Sequence, residues 1–298
     1  MKRISIGSWA YVIGPYEDNP VPWEEVVQNL SDLGFDGVEL GAFPPHPNPK
    51  DLPDKEQRDA VKEQMEEAGL EFSGVAADFW GEKLINTDDT TPYIESFRRY
   101  IQFALDLGID RIRVDTVQPP DILKAVDKDA ARKQVVDTWK TCTEEAADAG
   151  LTVSWEFEPG FAFNKPSDIE QIVDEVGHPS FGVMVDTCHA HMVAAEGAKQ
   201  PEPVETLPGG GVELVRRLKG KINHIHLIDS DGTLHDDETS THAPFGQGLI
   251  KWDEMMPALN EAGVPHDWWT IDLCFWPDAW KVTEQCKTFV DDLNAKYG

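Results

Sequence analysis

Basic side chains are scarce: 26 lysines and arginines face 55 aspartates and glutamates among 298 residues, for a formal charge of −29. So acidic a surface repels phosphate backbones, which argues against a nucleic acid as partner. Cysteine is scarce as well. Cys142, Cys188, Cys274 and Cys286 are widely spaced and form no CxxC pair, which fits reduced thiols and not a disulfide framework. No apolar run approaches the roughly 20 residues of a membrane span. Met1-Lys2-Arg3-Ile4-Ser5 leads straight into a strand-like segment without a signal-peptide core. No GxGxxG follows the first strand, which weakens a dinucleotide-binding reading. These absences describe a cytoplasmic protein with no membrane or nucleic-acid partner, and they leave open whether it forms a homo-oligomer.

What is present is alternation. Short β-branched or apolar runs recur at Ile4–Trp9, Gly37–Leu40, Glu71–Ala76, Arg111–Asp115, Thr152–Glu158, Gly182–Asp186, Ile222–Asp229 and Trp268–Phe275. Segments of helical spacing lie between and after them: Val21–Leu33, Lys55–Ala68, Thr91–Leu107, Asp127–Ala149, Ser167–Val176, Gly211–Lys219, Trp252–Ala262 and Asp278–Tyr297. Most of these helices stop at a glycine, as left-handed C-terminal caps require. Eight βα units without a second compositional block predict one domain over 1–298, an α/β fold of the (β/α)8 TIM-barrel type. Long Pro- and aromatic-rich segments follow the strands, whereas those after the helices are short. Function is therefore expected at the C-terminal mouth. There Ala190–Pro208 reads as a lid, and Gly209-Gly210-Gly211 as its hinge or, more weakly, as a phosphate cradle.

A buried parallel strand should be almost entirely apolar, and four strands break that rule near their C-terminal ends. In Val153-Ser154-Trp155-Glu156-Phe157-Glu158 the two glutamates share a face opposite bulky apolar residues. Val183-Met184-Val185-Asp186-Thr187-Cys188-His189 ends in DxxH, and His224 and His226 alternate with isoleucines. Trp268-Trp269-Thr270-Ile271-Asp272 places one carboxylate among apolar neighbours. A single such carboxylate is ordinarily a helix cap or an ion-pair member. Several converging on one mouth would repel unless protonated or neutralised by a cation. Glu156, Asp186, His226 and Asp272 are therefore expected to hold a divalent metal. One imidazole and three carboxylates form a hard donor set suited to Mn²⁺ first, with Mg²⁺, Co²⁺ or Zn²⁺ as alternatives.

The pattern resembles the xylose isomerase-like barrel superfamily of sugar and sugar-phosphate isomerases and epimerases, which also has dehydratase and nuclease branches. The resemblance spans essentially the whole chain. It rests on Asp186-Thr187-Cys188-His189, on His224-Ile225-His226-Leu227-Ile228-Asp229, and on His242-Ala243-Pro244-Phe245-Gly246-Gln247-Gly248, which is similar to the family's HxPxGxG turn. The family's Glu, Asp, His, Glu ligand set maps to Glu156, Asp186, His226 and, one methylene short, Asp272. A trinuclear nuclease would need extra histidines on the second and third strands, where this chain has Glu39 and none.

The resemblance implies a metal-dependent isomerase or epimerase acting on a small polyol or sugar. A proton α to a carbonyl would be abstracted through a metal-stabilised enediolate, with Glu156 and Asp272 as the catalytic pair. His189 would hydrogen-bond a substrate oxygen. Glu158, His224, Lys165 and Trp80 are further candidate substrate contacts, and Trp9 and Trp276 are other aromatics of the mouth. Arg113, beside Asp115, reads as a structural ion pair in the lumen. Two alternatives remain: an inosose dehydratase-type lyase, in which His224, Lys165 or Glu158 supplies an acid, and a barrel that binds sugar without turnover.

Overall fold

In the computed structural model, which describes residues 1–298, the strands β1 (Arg3–Gly7), β2 (Gly37–Gly41), β3 (Glu71–Ala76), β4 (Arg111–Val114), β5 (Thr152–Glu156), β6 (Phe181–Asp186) and β7 (Ile222–Leu227) run parallel. Two further strands, β8 (Asp229–His235) and β9 (Thr239–Ala243), form a separate antiparallel hairpin. The last strand, β10 (Trp268–Ile271), pairs with both β7 and β1 and closes the barrel. Around it lie α1 (Trp23–Asp32), α2 (Lys55–Glu67), α3 (Thr91–Leu107), α4 (Lys128–Asp148) and α5 (Pro166–Val176), then α6 (Thr187–His191), α7 (Gly210–Arg217), α8 (Trp252–Ala262) and α9 (Ala279–Tyr297). The expected (β/α)8 fold is thus present. No helix is long and apolar enough to cross a membrane.

Period-two alternation sorts each strand. Ile4, Ile6, Val38, Leu40, Ile112, Val153 and Trp155 are fully buried in the layer between strands and helices, where Trp155 meets Trp139 of α4 at 5.2 Å. The opposite faces fill the lumen with polar groups. Ser5 shares a 2.9 Å hydrogen bond with Thr270, and Glu39, Arg113, Glu156, His224 and His226 are all buried. The interior layers of such barrels are ordinarily bulky and branched, so this lumen departs from the norm along much of its depth.

The differences from the sequence reading cluster at the mouth. The expected strand Ile222–Asp229 stops at Leu227, and Asp229 opens the β8–β9 hairpin, which periodicity did not reveal. The strands expected to reach Glu158 and Phe275 leave the sheet at Glu156 and Ile271. Ala190–Pro208 is no free lid: Met192, Val193 and Ala194 join the core, and Leu207 N–H bonds to Ala194 O at 2.8 Å. The apolar stretch from Ala190 to Ala195 has more to gain from burial than from mobility. The triple glycine cradles no phosphate either, because Glu213 of the same helix takes the Gly209 N–H at 2.9 Å. A Cβ at Gly211 would lie 3.0 Å from the backbone of Ala190 and His191, so glycine there permits close packing of α7 on α6.

One carboxylate organises the return from the hairpin. Asp229 accepts the backbone N–H groups of Ser230, Gly246, Gly248 and Ile250 at 3.0–3.1 Å, and a Cβ at Gly248 would fall 2.2 Å from Asp229 Oδ1. Asp229→Asn, which turns an amide group toward these donors, is expected to cost on the order of 2 kcal/mol. Thermal or urea unfolding checks this; an unchanged midpoint would show that the cradle does not hold the turn.

Candidate metal centre at the barrel mouth

The structure brings together Glu156 at the end of β5, Asp186 at the end of β6, His226 on β7 and Asp272 just past β10. One donor atom from each lies within 4.8 Å of the others. His226 Nδ1 stands 3.1 Å from Glu156 Oε1 and 3.4 Å from Asp272 Oδ2. None of the four side chains has appreciable contact with solvent.

The neighbours occupy some of these donor atoms and leave others free. Asp272 Oδ1 accepts from the Trp9 indole at 2.9 Å and from the Cys274 amide at 2.8 Å, and lies 3.2 Å from His242 Nδ1. Its Oδ2 is left to face the cluster. Asp186 Oδ1 caps α6 through the His189 N–H at 2.8 Å, whereas its Oδ2 finds no hydrogen-bond partner. Glu156 Oε1, His226 Nδ1 and His242 Nε2 are likewise buried without one. Unpaired buried polar atoms are costly, and the three on Glu156, Asp186 and His226, two of them carboxylate oxygens, suit a cation. The donor set of oxygen and imidazole nitrogen fits a divalent ion of the hard to borderline kind.

Electrostatics separates the carboxyls. Burial would raise Glu156, but the Arg113 guanidinium, 2.5 Å away, and His226 outweigh it and hold it at about 2. Burial raises Asp186 to about 7 against the pull of His242, with the Asp272 charge adding to the rise. Burial and the nearby Glu156 charge push Glu158 up to about 8, leaving it a neutral acid at pH 7. Burial and the charge on His242 drive His189 down to about 3. His242 rises to about 9 because Asp272 and Asp186 outweigh its desolvation.

Above the cluster lies a cleft of about 50 Å³ lined by Trp9, Arg113, Glu158, His189, His242 and Phe275 among others. It opens past Trp80, Glu158 and Thr239 into an outer cavity of about 770 Å³. His189 is set by Ser240, 2.8 Å from its Nδ1, and its Nε2 stands 3.9 Å from Glu158. The Thr239 hydroxyl donates to Glu158. Trp80 stands on the rim, 47% exposed, against Phe43.

Two candidate contacts are not brought to the cleft. His224 sits two residues before His226, roughly 6–7 Å deeper along the strand; it is wholly buried and bonds to Glu39 at 2.6 Å. Lys165 turns its ammonium to Pro203 O at 2.5 Å, because its position before α5 aims it at the next loop. Trp276 packs against the core. Conversely, Arg113 is more than a partner for Asp115, since its closest carboxylate is Glu156 and it lines the cleft. The sequence places Arg113 in the lumen, as expected, but does not show that Glu156 is its nearest carboxylate. Nothing local could have shown that Ser240 and His242, two residues apart on β9, would reach His189 and Asp272.

Comparison with known proteins agrees with this architecture. Residues 27–285 match the family described as xylose isomerase-like TIM barrel. Fructoselysine 3-epimerase of Escherichia coli O157:H7 is 22% identical over 268 residues, 82% of each chain. Among solved structures, an IolI protein with a bound zinc atom superimposes with a TM-score of 0.76 at 20% identity, covering 100% of this chain and 99% of the other. A D-tagatose 3-epimerase-like protein does so at 0.73 and 20%, covering 100% of both. The chain belongs to the xylose isomerase-like TIM barrel family.

Proposed function

We propose that the protein is a divalent-metal-dependent isomerase or epimerase of a small polyhydroxylated carbonyl compound, with Glu156, Asp186, His226 and Asp272 holding the ion. The observation that carries this reading is the convergence of buried donor atoms, several without partners, from four successive strand ends. The epimerase relatives support it at the level of reaction class. A bound divalent ion would supply positive charge beside the substrate's carbonyl oxygen and so acidify the adjacent C–H.

The side chains provide the rest. Glu156 and Asp272 are the carboxylates that remain ionised, Glu156 held down by Arg113 and Asp272 by His242 and His226. Facing the substrate carbon, they would take the proton from one side and return one on the other. His189, neutral and fixed by Ser240, would present Nε2 to a substrate hydroxyl. Trp80 and Phe275 would cover the apolar face of the sugar. The cations near the mouth are already engaged: Arg113 with Glu156, Lys165 with Pro203 O, and Lys199 with Asp237 O. This favours a substrate without a phosphate, and the outer cavity leaves room for a substituent.

A second reading, a lyase of the inosose dehydratase type, is favoured by the neutral Glu158, which could protonate a departing hydroxyl. Incubation in deuterated water separates the readings. Solvent deuterium entering a recovered sugar without loss of water marks the isomerase, and a dehydrated product marks the lyase. Absence of exchange with every substrate tried would leave a barrel that only binds.

Glu156→Gln and Asp272→Asn are each expected to lower kcat by at least about 10²–10⁴, the usual worth of an acid–base group, with unchanged circular dichroism. Near-normal turnover in either would sink the mechanism. Divalent-ion affinity is expected to rise between pH 6 and pH 8. Asp186, raised to about 7, must shed its proton to bind, which permits up to about tenfold per pH unit for each proton displaced. Calorimetric titration in buffers of different ionisation enthalpy measures both affinity and proton release; a flat profile would remove Asp186 from the ligand set.

A further inference from the structure

Beneath the candidate centre lies a second buried polar cluster that the proposed chemistry does not use. Glu39 on β2 reaches across the lumen, and its Oε2 lies 2.6 Å from His224 Nε2, 3.1 Å from His226 Nε2 and 3.1 Å from the Thr270 hydroxyl. Glu39, His224, His226 and Thr270 are all wholly buried. The line continues to the foot of the barrel, where His224 Nδ1 lies 3.2 Å from His266 Nε2. His266 Nε2 is also 2.8 Å from Asn223 O, and His266 Nδ1 accepts the backbone N–H of Trp268 at 3.0 Å.

The backbone decides the protons. An amide N–H can only donate, so His266 Nδ1 is bare and its proton sits on Nε2. That Nε2–H faces the Asn223 carbonyl and His224 Nδ1, so His224 Nδ1 also accepts. The proton of His224 is therefore on Nε2, directed at Glu39. A carboxylate can only accept, so Glu39 takes this hydrogen bond and calls for another from His226 Nε2. His226 is left with Nδ1 as the nitrogen it can offer, and Nδ1 is the atom that faces Glu156 and Asp272.

We infer that Glu39, set by the Trp268–His266–His224 chain, is a positioning residue that keeps the His226 proton on Nε2 and presents Nδ1 to a divalent ion. The inference rests on the metal-dependent reading above. A rival role, a second metal held by Glu39, His224 and His226, also has its donor atoms within 4.8 Å of one another. It is opposed by Arg111, which shares this end of the lumen and is buried with its guanidinium on Ser73 O at 3.1 Å. The hydrogen bonds that already occupy Oε2 oppose it too, and leave Oε1 as the one Glu39 oxygen without a partner.

Nitrogen-15 histidine spectra of the whole protein, with and without Zn²⁺, read the protons directly. Neutral His224 and His266 with Nε2–H, and His226 protonated at Nε2 in both states, are expected. An Nδ1–H form of His224, or a His226 bare at Nε2, overturns the inference. Calorimetric titration with Mn²⁺ or Zn²⁺ is the second readout. One ion per chain is expected, with affinity falling about 10–100-fold in Glu39→Gln, the usual effect of removing a carboxylate behind a ligating histidine. Because Glu39→Gln also alters the packing of the lumen, a second variant separates the two effects: His266→Gln, remote from the centre, should lower affinity in the same direction with a native circular dichroism spectrum. Unchanged affinity in both variants, or two ions per chain, overturns the inference. A wild-type chain that binds no divalent ion instead overturns the metal-dependent reading on which it rests.

Discussion

The arrangement depends on keeping carboxylates and imidazoles in the dry lumen of a closed barrel. Taking an ion out of water costs several kcal/mol even after relaxation, so each group must be matched by a partner of opposite charge or by directed donors. Glu156 has Arg113, Asp272 has Trp9 and His242, Asp186 caps α6, and Glu39 gathers two histidines and a threonine. Of the atoms this pairing leaves without a partner, Glu156 Oε1, Asp186 Oδ2 and His226 Nδ1 meet at one place at the mouth. The barrel thus concentrates an unmet demand for positive charge at the C-terminal ends of four neighbouring strands.

The loops are consequences of that demand. The β8–β9 hairpin turns inward over the mouth, and period two on β9 delivers Ser240 and His242 to the same side. Asp229, by gathering four backbone N–H groups, fixes where the chain returns from the hairpin. The shortened Asp272 is held at Oδ1 by the Trp9 indole from the opposite end of the sequence, which leaves Oδ2 turned to the cluster. A side chain one methylene shorter can thereby face the same point as its neighbours.

The strand ends were legible because their chemistry violates a strong rule. Carboxylates and histidines in otherwise apolar parallel strands are expensive, so finding them on β5, β6, β7 and just past β10 was informative before any contact was known. Depth was not legible in the same way. His224 and His226 share a face and a residue type, yet only His226 lies level with Glu156 and Asp272; His224 belongs to the layer of Glu39. Lys165 failed as a mouth cation for a related reason: a flexible four-carbon stem says nothing about which carbonyl will capture its end.

By itself the sequence determined the repeating βα units, the direction of the barrel and the set of side chains entering its lumen, since these follow from periodicity and from the cost of burying charge. Only the tertiary structure decided which lumen groups meet. Closure of β1 on β10 sets Trp9 against Asp272, and the crossing of the lumen sets Glu39 against His224 and His226. Those pairings join residues as many as 263 positions apart. Their partners are chosen by barrel register and strand tilt, which no local pattern encodes.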